Sequence, residues 1–240
     1  VIRSAVALNP ERVRTYREDY RREQIPARYS GWRHLAITTA LCVGAIAAAL
    51  SQIAQLSPVE LTTVPLAWLA ANFVEYGVHR GPMHHLRPGA SRLYKRHTSI
   101  HHRFFSEQMM AVDGARDFHV TLFPAWIVLL FVGVIALPLA VVVGWLISPD
   151  VGLLFYAALV FYYLVYEWLH LASHMPETSV LGGLPGAALA RRHHGTHHDP
   201  ALMRRANFNF ALPLADRLFG TLCPARRGDP EPPDLQKTRV

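Results

Sequence analysis

The chain has 240 residues, enough for one domain with a sizeable core, and 51% of them are hydrophobic. That fraction lies above the soluble norm and brings a membrane protein into view. The net charge is +7. Its basic residues are not interleaved with stacking aromatics, so nucleic acid is not an expected partner. The two cysteines, Cys42 in an apolar stretch and Cys223 near the C-terminus, make neither a disulfide framework nor a CxxC zinc site, and they fit a reducing compartment.

Residues 1–34 form a polar, arginine-rich N-terminal arm, too long and too charged for a signal-peptide n-region. It reads as an interfacial helix on the cytoplasmic side or as a solvated arm. Four apolar stretches follow, at 35–56, 61–78, 120–147 and 151–172. The first carries no charge and is long enough for a hydrocarbon core, which takes about 20 residues. The second carries only Glu75. The third contains Pro124 and Pro138 and reads either as one kinked helix or as two half-helices around Pro138. Ser148-Pro149-Asp150 is a turn with an N-cap and a first-turn proline, opening the fourth stretch, which carries Glu167 and His170.

The 24 lysines and arginines avoid the short connections at 57–60 and 148–150; all of them precede 35, fall between Arg80 and Arg116, or follow His174. By the positive-inside rule both termini lie in the cytoplasm, together with every histidine cluster. Only two of these residues, Lys95 and Lys237, are lysines, a bias of GC-rich bacterial genes that points to a bacterial inner membrane. The expected architecture is all-α: an integral-membrane four-helix bundle over 35–225, with a cytoplasmic helical cap carrying a histidine-rich di-metal site. The proline-rich tail at 226–240 is expected to be disordered.

Neutral imidazole is the commonest metal-ligating side chain. Most of the 14 histidines fall in four clusters, VHRGPMHH, RHTSIHH, EWLHLASH and RRHHGTHH. Helical spacing puts His97 with His101, His170 with His174, and His194 with His197 and His198, each set on one face. One HxxxH pair is weak evidence, because two histidines on a helix face are often a satisfied pair; four clusters around apolar spans are strong evidence. Lone His34 and His119 read as interfacial anchors, and His85 and His193 duplicate a neighbour. The ligand candidates are therefore His79, His84, His97, His101, His102, His170, His174, His194, His197 and His198. Ten is too many for one tetrahedral zinc and suits two metals, each held by four to six imidazoles. Nitrogen ligation fits iron, zinc, copper or nickel. Glu75 and Glu167 stand where each can orient an imidazole through its second nitrogen.

The ordered set HRGPMH, HTSIHH, HLASH and HHGTHH among four spans resembles the fatty acid hydroxylase/sterol desaturase superfamily of membrane di-iron enzymes. Asn207-Phe208-Asn209-Phe210, Pro213 and the run Asp216–Thr221 resemble that family's stretch after its last histidine box. The resemblance covers Glu75 to Thr221. It implies two iron ions, replaceable by zinc on purification, with O2 as co-substrate and hydroxylation of a membrane lipid C–H bond. It also implies a supporting role for Asp216 beside the ligands. The second box departs from the family in reading HxxxHH rather than HxxHH, which sets His97 apart. The doubled His193-His194 offers two registers, of which the HxxHH spacing picks His194. No haem domain is fused here, so the expected electron donor is a separate ferredoxin- or cytochrome-type protein. Lipid desaturation and carotenoid hydroxylation share this chemistry and stay open, as does the oligomeric state. A membrane metal transporter would place ligands near the midplane rather than at span ends, and a metalloprotease would need HExxH.

Overall fold

The structure is a computed structural model that describes residues 9–224; the tail expected to be disordered and the first eight residues of the arm lie outside them. The described residues are helical, with no strand. In order they form α1 (Pro10–Glu23), α2 (Gly31–Leu50), α3 (Thr63–Val78), α4 (Ala125–Leu146), α5 (Pro149–Ser173), α6 (Ala187–His197) and α7 (Leu214–Leu218), with shorter turns between.

The boundaries follow local chemistry. Asn9 caps α1 by accepting from the Glu11 N–H, with Pro10 at the first position. Ser30 caps α2, and Ser148 caps α5 ahead of Pro149. The stretch at 120–147 resolves into one helix rather than two half-helices, and it begins only after Pro124. Pro138 is tolerated because the preceding turn, Leu130–Ala136, widens into a π-helix. Residues 118–121 belong to a separate short helix beside the histidines.

α5 is the axle, packed against α2, α3 and α4 through a core that includes Cys42, Ala67, Val128, Ala136, Val160 and Tyr163. Two-thirds of its apolar window (67%) is buried, against 22% for α2 and 17% for α4. The outer helices instead turn apolar side chains outward, such as Leu66, Val74, Val134 and Trp145. An apolar belt of this extent is what lipid contact requires. At the crossing of α4 and α5 a Cβ on Gly152 would come within 2.6 Å of the Ala140 carbonyl, so only glycine lets the backbones meet there.

Of the four expected spans, three have the length of a full membrane crossing. They are α2, α4 and α5, each long and apolar enough to cross a membrane. α3 has 16 residues, about 24 Å at 1.5 Å per residue, short of a hydrocarbon core of about 30 Å. Its helical path continues directly into the π-turn His79–Met83.

The two ends of the helices differ in kind. At one end the Asp150 carboxylate accepts from the Ala54 and Gln55 N–H groups, and Ser148 meets Glu60, which joins both lysine- and arginine-free connections. At the other end all the histidine clusters gather, roofed by α1 and α6. Along Pro10–Glu23 the arm is no solvated strand of chain: Val13, Arg17 and Tyr20 are buried, Tyr20 in one cluster with Phe104 and Phe105, and Arg17 bonded to the Phe104 carbonyl.

Candidate metal centre

Two kinds of helix aim the histidines. The first two boxes fold as π-turns, His79–Met83 and Lys95–His101, whose repeat brings residues five apart onto one face. His79 and His84 are five apart, and so are His97 and His102. α5 and α6 are α-helical and align residues four apart, His170 with His174 and His194 with His198.

Two buried groups result. The first holds His79, His84, His97, His102 and His197; the second holds His101, His170, His174 and His194. Within each group one nitrogen per ring lies within 4.8 Å of all the others, an arrangement able to hold a metal ion. His198 joins the second group, its Nε2 lying 2.9 Å from that of His194 and 3.1 Å from that of His101. Its ring also stacks on His102 at 4.2 Å, so it stands at the border with the first.

The shared faces expected from α-helical spacing are therefore partly wrong. His97 parts from His101 because that segment is a π-turn. His197 parts from His194 and His198 because it is three rather than four residues from His194. His97, set apart by its unusual box, lies well inside, its Nε2 2.8 Å from His79 and 3.1 Å from both His84 and His102.

The donor set fits a metal. His79, His101, His174, His197 and His198 each aim Nδ1 at a backbone carbonyl, those of Phe208, Val120, Met110, Ala206 and Phe105. A carbonyl only accepts, so each Nδ1 carries the proton and each Nε2 presents a lone pair. The Thr98 hydroxyl donates to the Met83 carbonyl and accepts from His84 Nδ1 in the same way. Consequently the Nε2 atoms of His84 and His197, 3.0 Å apart, face each other as two acceptors. So do those of His101 and His198, at 3.1 Å. Such contacts are repulsive unless a cation lies between them. Protons are poor candidates for that cation, since burial pushes the His79 pKa down to about 4 and that of His84 down to about 2. Burial holds His97, His101, His102, His174, His194, His197 and His198 well below the usual imidazole value too.

The carboxylates expected to orient imidazoles do not touch them. Glu75 accepts from the Tyr162 hydroxyl, the Asn209 amide and the Phe210 N–H. Glu167 accepts from the Tyr163 hydroxyl and the Phe123 N–H. Glu75 is spent on joining α3 to α5 and to the C-terminal segment, and Glu167 on joining α5 to the turn before α4; the Phe208 carbonyl already fills the His79 Nδ1 position that Glu75 was expected to take. Asp216 acts at one remove. It accepts from the Phe208 and Asn209 N–H groups and from Thr221, and so fixes the Phe208 peptide whose carbonyl holds His79.

The remaining histidines stay outside both groups. His193 bonds the Asn209 carbonyl, His34 meets the Tyr29 hydroxyl, His119 packs on the Tyr29 ring, and His85 is exposed. Sequence reasoning missed Thr98 and Asn72, and it named Asn207 only within the family-like stretch, with no role of its own. Asn207 takes a left-handed backbone (φ 57°) and ties α6 to the chain near Cys223 through His193 and Cys223 carbonyls. Thr98 carried a signal in its place inside the second box and Asn207 in the stretch after the last one; Asn72 carried none.

Between the groups lies a cavity of about 20 Å³, lined by His97 of the first group, His101 and His170 of the second, and Tyr166, Phe123 and Arg96. It has room for about one water-sized molecule. A larger apolar cleft of about 620 Å³ opens between α2, α4 and α5 at the far end. Tyr156, its last lining residue on α5, precedes His170 by 14 residues, about 21 Å of helix.

Comparison with known proteins agrees with this geometry. No curated protein and no solved structure matches the chain. The sequence model of the fatty acid hydroxylase family matches residues 64–221, well over half of the chain and every histidine in the two groups. Membrane-length helices and buried histidine groups fit an oxygenase-type oxidoreductase of the histidine-box kind. The chain belongs to the fatty acid hydroxylase family.

Proposed function

We propose that the protein is an oxygen-dependent di-iron enzyme that hydroxylates a C–H bond of a membrane lipid, an acyl chain or a sterol-like molecule. The observation that carries this reading is the pair of adjacent groups of inward-facing Nε2 atoms at one end of lipid-facing helices. His79, His84, His97, His102 and His197 would hold one iron; His101, His170, His174, His194 and His198 would hold the other. When bound, the irons supply the oxygen activation that an unactivated C–H bond requires.

The chain's own part is to hold the imidazoles neutral and aimed, to exclude water, and to admit one small molecule. Carbonyls fix the ring tautomers, burial keeps the rings unprotonated, and the cavity between the groups leaves space for oxygen or for the reacting carbon. The apolar cleft does not reach the histidines, so it is suited to a distal part of a lipid and not to the carbon that reacts. The histidines cluster at the helix ends and not along a crossing path, which argues against transport.

The topology that goes with this function has both termini and the histidines in the cytoplasm, with α3 as a short fourth crossing. The lysine- and arginine-free connections meeting at the opposite end support it. Arg87, Arg92, Lys95, Arg103, Arg192, Arg204 and Arg205 are exposed at the histidine end, a basic face suited to an acidic ferredoxin- or cytochrome-type electron donor.

Lipidomics of cells with and without the gene tests the reaction. A lipid heavier by one oxygen is expected; a loss of two hydrogens would make the protein a desaturase, and no change in any lipid would sink the reading. Protein handled without oxygen and supplied with iron is expected to carry two irons per chain, with zinc replacing them under ordinary purification. Reporter fusions at residues 58, 115 and 149 are expected to report outside, inside and outside.

A further inference from the structure

The family match begins at residue 64, so α1 lies outside it, yet α1 sends one buried side chain to the metal centre's support. The Arg17 side chain is 1% exposed. Its Nε donates to the Phe104 carbonyl at 2.7 Å, its Nη1 to the Ala111 carbonyl at 3.0 Å, and its Nη2 to the Met109 carbonyl. Interleaved with these are the two carbonyls that hold histidines of the second group: Phe105 accepts from His198 Nδ1 at 2.6 Å, and Met110 accepts from His174 Nδ1 at 2.7 Å. Phe104, Met109 and Ala111 turn toward the arginine, while Phe105 and Met110 turn toward the histidines. The guanidinium also covers the Phe105 ring at 5.1 Å, and that ring packs on His174 at 4.1 Å.

We infer that Arg17 is a positioning residue for the second metal group, setting the Phe105 and Met110 carbonyls that fix the tautomer and aim of His198 and His174. Three features of the side chain suit this task. A guanidinium has five donors in a rigid fork, enough to pin three carbonyls at once. Its burial makes these hydrogen bonds the substance of the contact, since the Asp113 carboxylate 3.4 Å away is 59% exposed and screened. The segment it pins is otherwise irregular, so its carbonyls have no helix to hold them. The first group has no such dependence: its carbonyl partners, Ala206 and Phe208, lie in the C-terminal segment that Asp216 secures.

This inference rests on the two-metal reading above, and the test separates the two. Metal is counted in the whole protein for the parent, Arg17→Met and Arg21→Gln. Arg21 pairs with Asp113 and Asp117 from the same helix but bonds none of these carbonyls. The parent and Arg21→Gln are expected to hold two metals. Arg17→Met is expected to bind the second-group metal about 10- to 100-fold more weakly, and in a His84→Ala background to hold less metal than His84→Ala alone. Should Arg17→Met fail to fold, Arg17→Lys is measured instead; it keeps the charge and the stem but cannot span three carbonyls, and the same weakening is expected.

Parent-like metal affinity in the Arg17 variant, even at a lower melting temperature, would overturn the inference. So would equal loss in Arg21→Gln, because docking of the arm would then suffice. Nitrogen-15 NMR of the metal-free protein gives a readout independent of metal. The Nδ1–H signals of His174 and His198 should shift in Arg17→Met while those of His79 and His197 stay; unchanged signals overturn the inference. A parent holding fewer than two metals would defeat the two-metal reading, and the NMR result would still decide the role of Arg17.

Discussion

The two histidine groups present the same chemistry to their centres and are built in different ways. The first takes its pairs from π-turns at a spacing of five and leans on the C-terminal segment through Ala206 and Phe208. The second takes its pairs from α-helices at a spacing of four and leans on the loop at 104–111. Each then borrows one member from the other's kind of helix. His197 crosses from α6 into the first group, and His101 crosses from a π-turn into the second. The crossed pair ties the groups together, so neither shifts without moving a ligand of the other. A centre in which two metals must act on one small cavity gains from such coupling, because the distance between them is then a property of the fold.

Removing one member from each group is the strongest way to break the comparison. His174→Ala and His197→Ala are each expected to lose lipid oxidation by about two orders of magnitude or more, exceeding the usual cost of losing a mere supporting partner. Both should insert in the membrane normally, because the apolar helices are untouched. Metal content should fall from two toward one in each, and the survivor should differ. Full oxidation by both variants would mean that the histidines serve some other purpose.

Acid tests what the groups share. In the metal-free protein burial depresses the imidazole pKa values in both, so the unfolded chain takes up protons that the folded chain refuses. The stability at stake is intact above pH 6.5, the ordinary value, and for His79 is lost as the pH falls from 6.5 to about 4. That one group accounts for about 3 kcal/mol at 1.36 kcal/mol per pKa unit. Unfolding midpoints measured from pH 7 to pH 4 should fall steadily. Flat midpoints would show that the metal-free rings are not buried as described.

Much of this was legible in the sequence because histidine spacing and apolar length are local properties. The ten candidates and the end of the helices where they meet could be read from four short motifs. Their division into groups could not, because HTSIHH does not announce a π-turn, and the choice between a spacing of four and of five exchanges His101 for His102. The supports were hidden for a different reason. Nδ1 partners such as the carbonyls of Phe105, Met110 and Phe208 are backbone atoms, which every residue owns. Glu75 and Glu167 looked like the natural partners, and the folded chain uses them to tie α5 to α3 and to the turn before α4 instead. α3 read as one uninterrupted span on its apolar content; that its α-helical part stops at 16 residues, where a π-turn takes over at His79, was not visible there.

A smaller effect should separate the groups by their supports. Among the described residues Thr98 is the only side chain that holds the Nδ1 of a grouped histidine, that of His84, and it belongs to the first group. Thr98→Val keeps the shape and removes the hydroxyl. The first-group metal should bind about 10- to 100-fold more weakly while the second keeps its affinity. Competition with a chelator, followed metal by metal, reads the difference. Equal weakening of both would show that the crossed pair transmits the disturbance and that the groups do not respond separately.

The smallest effect is expected at His193, and it probes the register of the last box. His193 and His194 are neighbours on α6, about 100° apart around the helix at 3.6 residues per turn. His194 faces inward, its Nε2 2.9 Å from that of His174, whereas His193 faces the C-terminal segment and meets the Asn209 carbonyl at 2.8 Å. His193→Ala therefore forfeits one hydrogen bond, worth about 1 kcal/mol of stability. It should keep both metals and most of the oxidation, as should His34→Ala and His119→Ala. His194→Ala empties a place in the second group and should be inactive. If the two variants exchange these outcomes, the box is read one residue out of register, and α6 must turn by the same angle to bring His193 inward.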